Sequence, residues 1–185
     1  GRKITYDELV EFAKISPPGS NGIIFNPSLA GGTHQDKSVN IRGGYLNIEL
    51  ASRFEDLIRA TLEGITLNLK ISYDFLKSKT LINIPIGITG GGSNSDFWMQ
   101  LFADIFNIQV FTTNIGQNAA TLGATFACAK GIGWVSNYDN VNQYQKVKKR
   151  YNPNEDLKEF YAIELIKFKF ISDKLADIGD FLAEK

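Results

Sequence analysis

Residues Ile84 to Ile88 form a short apolar run that passes through Thr89 into three consecutive glycines, Gly90-Gly91-Gly92, and then into a helical pattern. That order constrains the fold, because a strand that turns tightly into a helix belongs to a layered α/β architecture. A helix N-terminus leaves unpaired N–H groups and partial positive charge, and residues without a Cβ let an anion approach the backbone closely. Ser93 or Asn94 is placed to cap the helix, and Asp96 sits in its first turn. The spacing predicts a strand over 81–89, a helix over 94–106 and a further strand over 108–112. Strand, glycine turn, helix and strand together can cradle a nucleotide, and can equally be a tight connection inside an α/β domain. Neither the G-x-G-x-x-G spacing nor a following Gly-Lys-Ser/Thr is present, so a dinucleotide loop and a P-loop are both excluded.

Size allows one sizeable core: 185 residues, 43% apolar and 22% charged. Lysine plus arginine balances aspartate plus glutamate at 20 each, which gives no whole-chain bias toward nucleic acid or an anionic membrane. No apolar segment has the length of a membrane span, and no signal peptide is visible. Cys128 is the single cysteine, so an intrachain disulfide is impossible and a reducing, cytoplasmic setting is expected. Its apolar neighbours, Thr125 to Ala129, predict a buried structural thiol. The basic run Lys146-Val147-Lys148-Lys149-Arg150 reads as a solvated face. The chain opens on Gly1 without methionine, as a processed tag or an excised piece of a longer protein would.

Elsewhere a first helix is predicted over 6–14, with Thr5 as its cap and Pro17-Pro18-Gly19 ending it. Ile23 to Phe25 reads as a strand, 26–42 as a long glycine-rich loop, and 45–50 as a short strand or extended entry. The strongest helical periodicity runs over 53–75, with Asp56 and Arg59 expected as a surface pair. An alanine- and glycine-rich helix over 118–130 and a helical tail over 155–183 complete the pattern. Two or three strands beside helices this long make an α/β sheet that looks incomplete. The domain reading is an entry helix and linker over 1–20, a core over 21–150 and a closing helical segment over 151–185.

Several of these segments resemble the C-terminal half of the FGGY carbohydrate kinases. Gly43-Gly44-Tyr45-Leu46-Asn47-Ile48, followed after seven residues by Asp56-Leu57-Ile58-Arg59-Ala60-Thr61-Leu62-Glu63-Gly64, is similar to the family's second signature, with Asn47 where the family usually has glycine. Thr89 to Gln100 resembles the family's ATP-binding turn, and its x-Trp-x-Gln detail is closer to xylulokinase-like members than to glycerol kinases. Ala120-Thr121-Leu122-Gly123-Ala124-Thr125 resembles the small-residue helix beside the nucleotide, and Tyr151-Asn152-Pro153 with Tyr161 the closing segment.

The resemblance implies an actin-like, ribonuclease-H-like ATPase fold, here the later portion of the C-terminal kinase domain. It further implies ATP and Mg2+ as cofactors, a sugar or polyol substrate, and a partnering N-terminal domain that carries the sugar pocket and catalytic base. On this reading no catalytic residue and no metal ligand lies in these residues, which alone are expected not to phosphorylate a sugar. By resemblance Gly90, Gly91 and Gly92 line the nucleotide and Ser95 contacts adenosine. From the residues alone, Ser95 can instead serve only its own helix. Asp36, Asp96 and Asp104 read as loop, helix-cap and surface carboxylates, and His34 as structural or interdomain. The competing class is a non-enzymatic nucleotide-binding sensor of the actin-like superfamily. A homodimer is left open.

Overall fold

The computed structural model describes residues 3–82 and 84–184. Along the chain run α1 (Tyr6–Ile15), β1 (Ile24–Asn26), β2 (Gly44–Leu46), α2 (Phe54–Lys79), β3 (Ile86–Gly87), α3 (Asp96–Phe106), β4 (Val110–Thr113), α4 (Ala119–Gly131), β5 (Val147–Tyr151) and α5 (Lys158–Ala183). They form two compact units, Gly1–Ile82 with Asn154–Lys185, and Asn83–Pro153.

In the first unit Thr5 closes a reciprocal cap on α1: Glu8 N–H donates to Thr5 Oγ1 at 3.3 Å, and Thr5 N–H donates to Glu8 Oε2 at 2.9 Å. Strands β1 and β2 pair antiparallel, with Phe25 opposite Tyr45. Ile23, Phe25 and Ala60 make an apolar cluster against which Leu57 and Ile65 of α2 pack. The helix comes this close because Gly64 has no side chain: a Cβ there would lie 1.9 Å from the Phe25 carbonyl oxygen.

The expected surface pair Asp56/Arg59 is neither on the surface nor a pair. Asp56 is 1% exposed and Arg59 6%. Asp56 accepts from Ser16 Oγ at 2.7 Å, Asn21 Nδ2 at 2.9 Å and Arg53 N–H at 3.0 Å. Arg59 Nε donates instead to Glu63 Oε1 at 2.9 Å, and its Nη1 to the Ser16 carbonyl at 2.7 Å. Glu63 also accepts from Gly19 N–H, Ser20 Oγ and the Tyr161 hydroxyl. Helical spacing tells which residues share a face; here the end of α1 and helix α5 cover that face.

Burial acts to raise the Asp56 pKa, but the hydrogen bonds from Ser16, Arg53 and Asn21 outweigh it and hold the carboxyl below its ordinary value. A group depressed in the folded state stabilises above its unfolded pKa, and that contribution fades as pH falls through the folded value. Wild type should therefore exceed Asp56→Asn in urea midpoint at pH 7, with the gap closing below about pH 4. A gap that stays constant down to about pH 2.5 would show that the carboxylate's charge is irrelevant.

The long loop after β1 is fastened to α5. Lys37 pairs with Asp177, Ser38 Oγ donates to Asp180, and Asn40 Nδ2 donates to Asp180 at 2.8 Å. Gly179 permits this approach, since a Cβ there would lie 2.1 Å from the Asn40 carbonyl oxygen. His34 is exposed on this loop. Helix α5 runs without interruption past Ser172 and Gly179. Asn47, the departure from the family's glycine, has φ +61° and donates from Nδ2 to the Gly22 carbonyl at 3.1 Å. Asparagine tolerates the left-handed region better than most residues, which accounts for the replacement.

In the second unit β3 and β4 run parallel, with Ile86 opposite Val110, and β5 joins β4 antiparallel, giving the order β3-β4-β5. The strand expected over 81–89 contracts to Ile86–Gly87; Asn83 lies outside the described residues. Pro85 has no N–H to donate, so the ladder begins after it. Strand β5 occupies the basic run read only as a solvated face. Its Lys148, Lys149 and Arg150 side chains are exposed, and Tyr151 alone in the strand is buried. Helix α3 fills the core with Met99, Leu101, Phe102, Ile105 and Phe106, and ends on Asn107 at φ +51°. Asp104 is buried rather than on the surface and accepts from Gln100 Nε2 at 2.8 Å. Cys128 is exposed, against expectation, because α4 buries Phe126 but not the thiol among the described residues.

Candidate nucleotide site at the glycine turn

The turn leaves the carboxyl end of β3, and the loop holding Gly116 leaves the carboxyl end of β4. In parallel sheets this is the end at which ligands bind. Gly90 N–H reaches the Gly116 carbonyl at 3.4 Å, while the Ser93 N–H and Oγ return to the Gly90 carbonyl at 3.1 and 2.7 Å. Gly91–Asn94 is a single 3-10 turn. Ser95 N–H donates to the Gly92 carbonyl at 3.1 Å, which joins the turn to α3. A one-turn helix has no acceptors for its own leading amides, so the N–H groups of Gly91 and Gly92 are not satisfied by the turn they head.

The three glycines are there for different reasons. Gly90 has φ +102°, a conformation that side chains resist. At Gly92 a Cβ would lie 2.7 Å from the Trp98 ring, so the tryptophan of the x-Trp-x-Gln pattern is what forbids a side chain. Gly91 has neither excuse: its φ lies outside the positive range, nothing stands within 4 Å of its Cβ position, and it is exposed. Gly123, within α4, is likewise clear of neighbours to 4 Å, although a mid-helix glycine costs about 1 kcal/mol against alanine.

Ser95, rather than Ser93 or Asn94, caps α3: its Oγ accepts from Trp98 N–H at 3.2 Å. The hydroxyl proton stays available to a second acceptor. Ser95 is 8% exposed, whereas the glycines beside it are accessible.

Two ties hold the start of α3 to β5 and its exit, and the sequence reading missed both. The Asp96 carboxylate accepts from Lys149 Nζ and from the Tyr151 hydroxyl, each at 2.6 Å. Gln100 Nε2 donates to the Asn152 carbonyl at 2.8 Å. Burial, then Asp96, pushes the Tyr151 hydroxyl up to about 12, while the Lys149 and Tyr151 hydrogen bonds hold Asp96 below the usual carboxylate value. Asp36 accepts from Thr33 within its own loop, as a loop carboxylate would.

Residues 3–132 match the model of the FGGY family of carbohydrate kinases, C-terminal domain. The chain belongs to the FGGY family of carbohydrate kinases. Among FGGY relatives it is 32% identical over 179 residues to a xylulose kinase of Staphylococcus epidermidis, covering 94% of this chain and 36% of that protein. It is 31% identical over 183 residues to a gluconokinase of Bacillus subtilis, covering 95% and 35%. A solved ligand-bound xylulose kinase from Lactobacillus acidophilus superposes with TM-score 0.80 at 30% identity, over 93% of this chain and 35% of that one. The chain thus spans about a third of the length of these FGGY proteins, and its fold is theirs: the later portion of an actin-like, ribonuclease-H-like ATPase domain. The segment that resembles the family's second signature holds the buried polar network around Asp56, Arg59 and Glu63, with Gly64 against β1.

Proposed function

We propose that these residues form the later part of the ATP-binding domain of a sugar kinase, which transfers the γ-phosphoryl group of ATP to a hydroxyl of xylulose or a related sugar or polyol. Gly91 carries the reading. A glycine that neither backbone conformation nor packing demands, at the head of a turn with unbonded amides, is accounted for by a phosphate that takes the space of a Cβ. Gly90 and Gly92 shape that turn, and Ser95 spends its lone pair on the helix while its proton is free for adenosine. The names of the relatives, xylulose kinase and gluconokinase, supply the substrate class.

Phosphoryl transfer depends on positioned phosphates, charge neutralisation and a base at the acceptor hydroxyl. The glycine turn provides the first. The sugar pocket and base belong to the remainder of the intact polypeptide. Among the described residues no three His, Cys, Asp or Glu side chains gather as a metal cage. Among the described residues no helix is long and apolar enough to cross a membrane, and a cytoplasmic location suits a kinase that draws on ATP.

Gly91→Val in the intact kinase should weaken ATP binding by at least about tenfold in calorimetry with little change in thermal midpoint, since the side chain enters open space. Unchanged ATP affinity would remove this site from the reaction.

A further inference from the structure

Asp96 stands one residue after the Ser95 cap, at the start of the helix that carries the glycine turn. A carboxylate there suits the helix dipole but opposes any phosphate brought to the turn before it. The structure gives that carboxylate two other obligations. Lys149 Nζ is 2.6 Å from Oδ2 and lies 5.0 Å from the centroid of the Tyr151 ring. The Tyr151 hydroxyl is 2.6 Å from Oδ1. Tyr151 is 5% exposed, so its hydroxyl reaches Asp96 from within the packed sheet.

The path from sheet to turn is continuous. Tyr151 on β5 holds Asp96, and the residue before Asp96 holds the Gly92 carbonyl through its N–H. On the other side, Gly116 holds Gly90. A bond to a carboxylate is shorter and stronger than one between neutral groups, and at 2.6 Å this one ties the first residue of α3 to β5.

We propose that Tyr151 and Lys149, acting through Asp96, are positioning residues for the triphosphate of ATP. Tyr151 sets the register of the glycine turn, and Lys149 cancels the carboxylate charge that would repel the phosphates. Neither touches the nucleotide. The proposal rests on the reading of the glycine turn as the ATP site.

The test is steady-state kinetics of the intact kinase, with thermal midpoints recorded in parallel. Tyr151→Phe, which keeps the ring and deletes one oxygen, should raise KM for ATP about fivefold or more, with kcat within about twofold and KM for the sugar unchanged. Lys149→Met should raise KM for ATP similarly, and Lys149→Arg should restore it. The double variant Lys149→Met with Asp96→Asn should also recover ATP affinity, because no uncompensated charge remains; a role in stability alone predicts no such recovery. Lys149 is half exposed, so its variants remain informative even if Tyr151→Phe folds poorly. Unchanged KM for ATP in Tyr151→Phe and Lys149→Met, beside a weakened Gly91→Val, overturns the positioning role and leaves the site standing. Unchanged ATP affinity in Gly91→Val overturns the site, and this proposal with it.

Discussion

Gly64→Ala is expected to lower the stability of the first unit by about 3 kcal/mol, although in an open helix the same change would be favourable by about 1 kcal/mol. The obstacle is backbone. The added Cβ would stand 1.9 Å from the Phe25 carbonyl oxygen, 2.9 Å from its carbonyl carbon and 3.2 Å from its Cβ. No rotamer change relieves a carbonyl that belongs to β1, so α2 must withdraw from the strand. Withdrawal opens the contact of Leu57 and Ile65 with Ile23, Phe25 and Ala60. Urea denaturation compares the two proteins directly. A Gly64→Ala protein as stable as wild type would mean that α2 and β1 are not in the contact described.

Glu63→Ala should be at least as damaging, at about 3–5 kcal/mol. The Arg59 and Glu63 side chains are 7% and 6% exposed, and their 2.9 Å bond is the centre of a polar network inside the unit. Removing the carboxylate strands the guanidinium and leaves Gly19 N–H, Ser20 Oγ and the Tyr161 hydroxyl without the carboxylate they share. Burial lowers the Arg59 pKa and Glu63 raises it, but a guanidinium is basic enough to keep its proton without Glu63, so Arg59 cannot escape by neutralising. Glu63→Ala combined with Arg59→Met should recover part of the loss, since no charge is then left unpaired. A single-variant cost below about 1 kcal/mol, the level of an exposed ion pair, would contradict the buried arrangement.

Local chemistry was legible where it is self-contained. Thr5 with Glu8 three residues on announces a helix start, and the apolar spacing announces α2 and α3, although α2 continues to Lys79, four residues past the expected end. The glycine turn was legible as a candidate for the same reason. What failed depended on partners distant in sequence. Asp56 and Arg59 are polar, and only the chain near Ser16 and Tyr161, 40 and 102 residues away, turns their face of α2 inward. Cys128 is apolar in context, yet exposed, because hydrophobic neighbours in a helix do not guarantee a covering surface. Strand β5 shows no alternation, since Tyr151 is its only buried residue, so no period of two could reveal it. The cap was misassigned to Ser93 or Asn94 because the intervening 3-10 turn delays the start of α3 to Asp96. The tie from Asp96 to Tyr151 spans 55 residues and leaves no local trace.

The basic residues of β5 have a consequence for how copies of the molecule meet. Among the described residues this strand ends the sheet order, so its outer side presents amides and carbonyls that another strand could zip onto. Lys148 and Arg150 would confront the same residues of a second copy laid edge to edge, and like charges directly opposite destabilise a ladder. The run therefore acts as a gatekeeper against intermolecular sheet growth, and dissolved salt, by screening those cations, is the condition that loosens the guard.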